Sequence, residues 1–177
     1  MNNNIDVAEI AEIRTEYLMI NGKKYKLIPF EAELEKKPFP QVGDTYWCVD
    51  SGGLIVKAVF GEHEISYGRK SIGNMYQTEQ QAKNALRAKK LIKAVNDRRK
   101  ELNGDWVADW GKGKRIKYCI EMDGLNLIVS GWSSFKYAYK AYPFGAFKDK
   151  DNCFQIIQKF KSELSWFFTE YLPEVTG

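Results

Sequence analysis

Apolar and polar positions along the chain change period several times, and each change predicts an element. Residues 1–15 begin polar, and Ile5, Ala8, Ile10, Ala11 and Ile13 then suggest a short amphipathic helix or a loose arm. Leu18, Ile20, Tyr25 and Leu27 flank Asn21-Gly22. Asn-Gly between apolar alternations predicts a β-hairpin, because both turn residues accept positive φ. Pro38, Pro40 and Gly43 mark a linker after it. Strands are expected over Tyr46–Asp50 and Leu54–Phe60 around Ser51-Gly52-Gly53, with a third over Glu64–Arg69. Thr78-Glu79-Gln80-Gln81 is a capping box, and Ala82, Ala85, Leu86, Ile92 and Val95 continue at helical spacing to about Leu102. Asn103-Gly104 stops that helix.

The pattern then recurs. Lys117–Met122 and Leu125–Ser130 flank Asp123-Gly124, and Phe135–Tyr139 alternates like a strand. Asp149 stands at a helix start, and Cys153, Ile156, Ile157, Phe160, Leu164, Phe167 and Phe168 follow at helical spacing until Pro173, expected to end the helix. A shift of 71 residues places Cys48 on Cys119, Gly53 on Gly124, Tyr76 on Phe147 and Thr78 on Asp149. The match fails in the middle, where Phe60 meets Gly131, as loop insertions between repeats would cause. One strand–strand–helix unit cannot bury both faces of its sheet, whereas two can share a core. The expected fold is therefore α+β, with two tandem ββ(β)α units plus an N-terminal hairpin. The boundaries are an arm at 1–15, hairpin and linker at 16–42, first unit at 43–104 and second unit at 105–177.

Composition narrows the class. With 44% hydrophobic and 28% charged residues the chain reads as a soluble globular protein. Its apolar runs fall short of the roughly 20 residues of a membrane span. The first residues lack the basic and apolar regions of a secretory signal. Three Cys without close spacing indicate neither a disulfide framework nor a zinc site, so a cytoplasmic location is expected.

Catalytic patterns are absent from the sequence. The single histidine, His63, reads as an exposed residue ahead of a strand, and Tyr67 stands where HExxH needs its second histidine. Cys48, Cys119 and Cys153 fall on apolar faces, where a free Cys packs as a small hydrophobe. Asp105 and Asp109 would share a face only if DWVADW were helical. No enzyme activity, metal or cofactor is expected. Binding chemistry is better represented. Arg87 and Lys90 lie on a basic helix, Lys112, Lys114 and Arg115 on the second connector, and Trp132, Phe135, Lys136, Tyr137, Tyr139, Lys140 and Tyr142 on the aromatic stretch. Basic residues attract phosphates and aromatic rings stack on bases, so nucleic-acid binding is the alternative to a protein partner.

INGKKYKLIPF, YWCVD, GNMYQTEQQAKNAL, LIKAVNDRRKELNGDW, KYCIEMDG and FKSELSWFF together resemble a group of small proteins of phages, prophages and mobile elements of gut bacteria. The group shares the order of these motifs, which are structural. The resemblance implies an accessory protein that binds a host or phage macromolecule in the host cytoplasm, a class that includes anti-defence inhibitors of the anti-CRISPR kind.

Overall fold

The computed structural model describes residues 17–20, 23–26, 38–110, 115–133 and 143–176. They belong to two compact units, residues 1–41 and 42–177. In the first, β1 (Tyr17–Ile20) and β2 (Lys23–Lys26) pair antiparallel with Ile20 opposite Lys23, the register expected of an Asn21-Gly22 hairpin. The expected arm at 1–15 and the expected strand Phe135–Tyr139 lie outside the described residues.

The second unit carries both halves of the repeat in an α+β fold. β3 (Thr45–Val49) pairs antiparallel with β4 (Ile55–Val59). Asp50 closes the connection: its Oδ1 accepts the N–H groups of Gly52 and Leu54 at 2.9 and 2.8 Å. After α1 (Glu64–Ser71) comes the long helix α2 (Glu79–Asn103). β5 (Lys117–Asp123) and β6 (Asn126–Trp132) form the second hairpin, followed by α3 (Lys150–Trp166), a π-helical turn Phe167–Tyr171 and α4 (Leu172–Thr176).

The 71-residue correspondence reappears in backbone hydrogen bonds. Trp47 and Tyr76 exchange N–H···O bonds of 2.8 Å each, and Tyr118 and Phe147 exchange bonds of 3.0 and 2.8 Å. Each bridge lays a short extended segment on the first strand of its hairpin, just ahead of the long helix. These bridges occupy the third-strand place in each unit. The hairpins themselves differ in register: Cys48 faces Val56, whereas Cys119 faces Ser130. The second hairpin turns tightly between Asp123 and Asn126, so its return strand slides by three residues. That slip is the physical reason the sequence match fails midway.

Three expectations are corrected. Glu64–Arg69 is helical rather than extended. The His63 ring Nδ1 accepts the Ser66 N–H at 3.3 Å, Glu64 stands in the first turn and Arg69 and Lys70 in the last, all favourable to a helix. Asp149 does stand before α3, yet its side chain makes no capping bond. Pro173 does not end the last helix but sits inside α4, at its second residue. The chain reaches it in unbroken helical geometry, with Phe167 and Leu172 both αR, and the π turn between them, in which Leu172 N–H donates to Phe167 C=O, shifts the hydrogen-bond ladder just ahead of the proline.

Ala82, Ala85, Ala88, Leu91 and Val95 form the buried stripe of α2, and Thr78 with Gln81 makes the predicted capping box at its start. The main core joins Ala88, Leu91 and Val95 of α2 to Ile120, Phe144 and Phe147, and to Cys153, Ile156, Leu164 and Trp166 of α3. The first half thus lends its helix to the core of the second.

Candidate functional site

Of the residues expected to bind a partner, Lys112, Lys114, Phe135, Lys136, Tyr137, Tyr139, Lys140 and Tyr142 lie outside the described residues. Trp132 is half-buried, and its indole N–H donates to Glu121 Oε1 at 2.8 Å; Ser130 donates to Oε2 of the same carboxylate at 3.1 Å. That arrangement ties neighbouring residues across the hairpin. Arg115 lines a shallow cavity of about 360 Å³ with Trp106, Ile116, Tyr118, Lys148 and Asp149. Arg87 and Lys90 come together elsewhere, on a larger groove.

That groove, about 470 Å³, runs between α2 and α3. Its apolar surface comes from Leu86, Leu91, Ala94 and Phe160, and its charged edge from Lys83, Arg87, Lys90 and Glu163. Helical spacing explains the α2 side: 83, 87, 90 and 94 fall along one line, with Leu86 and Leu91 turned toward the helix pair. On α3, Phe160 leaves helical geometry (φ −118°, ψ 22°), so the helix is interrupted at the groove.

Arg87 organises the middle. Its Nε and Nη2 donate to the two Glu163 oxygens at 2.8 and 2.9 Å, and its guanidinium lies 3.8 Å from the centre of the Trp166 ring. The fork geometry suits a planar guanidinium and not an ammonium. The bond from Arg87 holds the Glu163 carboxyl below its usual range. Among the described residues Glu163 is the one carboxylate lining the groove, and Arg87 already engages it on both oxygens.

Much of the basic charge of α2 is matched locally. Lys83 pairs with Glu79, Lys93 with Asp97 and Arg98 with Glu101. Arg99 turns inward, where it donates to Asn96 Oδ1 at 3.2 Å, and burial lowers its basicity. The helix is thus less cationic toward solvent than its composition suggests.

Groups that carry chemistry in other proteins have structural places here. Cys48, Cys119 and Cys153 are all buried. Desolvation raises the pKa of Cys48 and, far more strongly, of Cys153, which keeps these thiols neutral and poorly nucleophilic. His63 caps α1, and the Ser66 hydroxyl 3.2 Å from its Nε2 is fully buried, out of reach of any substrate. The connector holding Asp105 and Asp109 is not helical, so the two carboxylates share no helix face. Among the described residues no group of three His, Cys, Asp or Glu is placed to hold a metal, and no helix is long and apolar enough to cross a membrane.

In the sequence Lys117 continues the basic run of Lys112, Lys114 and Arg115, as an exposed cation would, yet it is buried. It is 2% exposed, and among the described residues its ammonium has no hydrogen-bond partner. The Trp110 ring, 5.3 Å away, gives it a cation–π contact. Its counterpart in the first half by the 71-residue shift is Tyr46, also fully buried, whose hydroxyl accepts a 3.0 Å bond from Arg69 of α1.

Compared with known proteins, the chain matches no family model, no curated protein and no solved structure.

Proposed function

We propose that this chain is a non-catalytic binding protein that receives a protein partner in the groove between α2 and α3. The observation that carries the reading is the groove itself: an apolar floor of about 470 Å³, edged by charged side chains and held by the Arg87–Glu163–Trp166 contact. A non-catalytic role fits the burial of all three thiols and the use of His63 as a helix cap. The resemblance to phage and mobile-element proteins supplies the setting, an accessory protein acting on a host or phage macromolecule, with inhibition of host defence as one such action. Local neutralisation of Lys83, Lys93 and Arg98 favours a protein over nucleic acid as that macromolecule.

Photo-crosslinking tests the reading. A photoreactive residue is placed at Lys90 beside the groove, and in a second protein at Leu125, the 86% exposed tip of the β5–β6 turn. A discrete protein adduct from position 90 and not from position 125 is expected in host cells. Equal adducts from both positions, no adduct at 90, or nucleic acid in the adduct would overturn it.

A further inference from the structure

Resting on that reading, we infer that the groove takes the apolar face of an acidic amphipathic helix. Length is the first argument. The α2 residues lining the groove run from Lys83 to Ala94, about 17 Å along the axis at helical rise. That is about three turns, the span over which a bound helix presents anchors at i, i+3 or i+4, and i+7. Leu86, Leu91, Ala94 and Phe160 offer a floor for such anchors on both walls.

Charge is the second argument. Glu163, the one carboxylate lining the groove among the described residues, is already bonded through both oxygens to Arg87. Lys90 lines the groove and makes no ion pair among the described residues. Lys159 lies 5.5 Å from the centre of the Phe160 ring, and likewise makes no ion pair there. One uncompensated cation therefore lines the α2 wall, and a second lies beside Phe160 on α3, next to the groove. Carboxylates flanking the apolar stripe of a partner helix complement both, whereas a basic helix places like charges together as the groove closes.

The test uses the full chain and a fluorescent synthetic peptide of about four helical turns. It carries leucines at i, i+3, i+4 and i+7 and glutamates on the flanks. One control replaces every glutamate by lysine, and another replaces the leucines by serine. Anisotropy titration is expected to give saturable binding of the acidic peptide, with Kd on the order of micromolar. Both controls should bind at least about tenfold weaker, a difference of about 1.4 kcal/mol. The Lys90→Glu/Lys159→Glu protein changes two exposed side chains, and its fold is checked by its melting curve. It should reverse the preference between acidic and basic peptides. Absence of saturation by the acidic peptide, equal binding of the basic one, or an unchanged preference in the double variant each overturns the inference. If those results accompany a groove-specific adduct from position 90, the acidic-helix inference alone has failed. If that adduct is also missing, the binding reading has failed with it.

Discussion

At the scale of single residues, the most informative side chain is Lys117. An ammonium taken out of water without a hydrogen-bonded partner among the described residues costs several kcal/mol, and contact with Trp110 returns about 2 kcal/mol of that. Methionine keeps the length and the apolar stem of the side chain while removing the charge. Lys117→Met is therefore expected to stabilise the fold by about 1–3 kcal/mol in urea denaturation. A loss of stability of that size would mean that the ammonium has an anionic partner in solution. Gly145 makes the opposite case. Its φ is +75°, and an added Cβ would lie 2.7 Å from the Arg99 guanidinium carbon. Arg99 donates to Asn96 Oδ1 at 3.2 Å, a bond it would give up in swinging aside. Gly145→Ala should cost about 1–3 kcal/mol, read as a lower melting midpoint, and an unchanged midpoint would show that both backbone and Arg99 relax freely. Neither position announces itself in the sequence. Lys117 reads as one more strand lysine, and a glycine near a proline reads as a loop.

At the scale of elements, local signals were legible and contacts between elements were not. The start of α2 could be read because Thr78 and Gln81 carry their own hydrogen-bonding chemistry three residues apart. The same logic misled at α1, since Ile65 and Tyr67 alternate with Ser66 as a strand would and histidine is an uncommon cap. What joins the long helices depends on residues far apart in the chain. Asn103 donates to Ala146 C=O at 3.0 Å and accepts the Lys148 N–H at 3.1 Å, while Asn152 donates to Leu102 C=O at 3.2 Å. Arg87 and Glu163 are 76 positions apart. Of the expected binding residues that are described, Arg87 and Lys90 meet at the groove, whose other wall comes from α3. The Arg87–Glu163 pair also predicts an acid response. Glu163 titrates below its unfolded value of about 4.3, so its contribution is present above that pH and is lost as pH falls through the lower folded value. Both side chains are more than a third exposed, so the effect is about 0.2–1 kcal/mol. Melting midpoints of wild type and Glu163→Gln should differ above about pH 5 and converge as the pH drops below about 4. A constant gap would place the stabilising effect in packing rather than in the charge pair.

At the scale of the whole molecule, the duplicated units raise the question of whether they fold as one. The shared 71-residue spacing of the Trp47–Tyr76 and Tyr118–Phe147 bridges shows that each half repeats one plan. Yet α2 leaves its own hairpin incomplete as a core: Ala88, Leu91 and Val95 pack with Ile120, Phe147, Ile156 and Leu164 of the other half. A half deprived of that contact would expose most of its apolar stripe, so residues 42–177 should unfold in one cooperative step. The buried thiols report on this directly. Cys48 lies in β3 of the first half and Cys153 in α3 of the second, and both are 0% exposed. In proteins carrying only one or the other thiol, with the remaining cysteines replaced by Ala or Val, alkylation should begin at the same urea concentration once any shift in overall stability is subtracted. Earlier alkylation of Cys48 would show that the first hairpin opens alone. Alkali provides a second readout with a fixed sign. Burial raises the pKa of both thiols above the unfolded value of about 8.5, so the folded state keeps protons that the unfolded state releases. The stability tied to these neutral thiols is complete below about pH 8.5 and is lost as pH rises toward the folded values. A wild-type midpoint that declines above that pH, and declines less in the variant lacking Cys153, is expected. Identical alkaline profiles would mean that water reaches Cys153, and that the joint core of the two halves is open where this structure closes it.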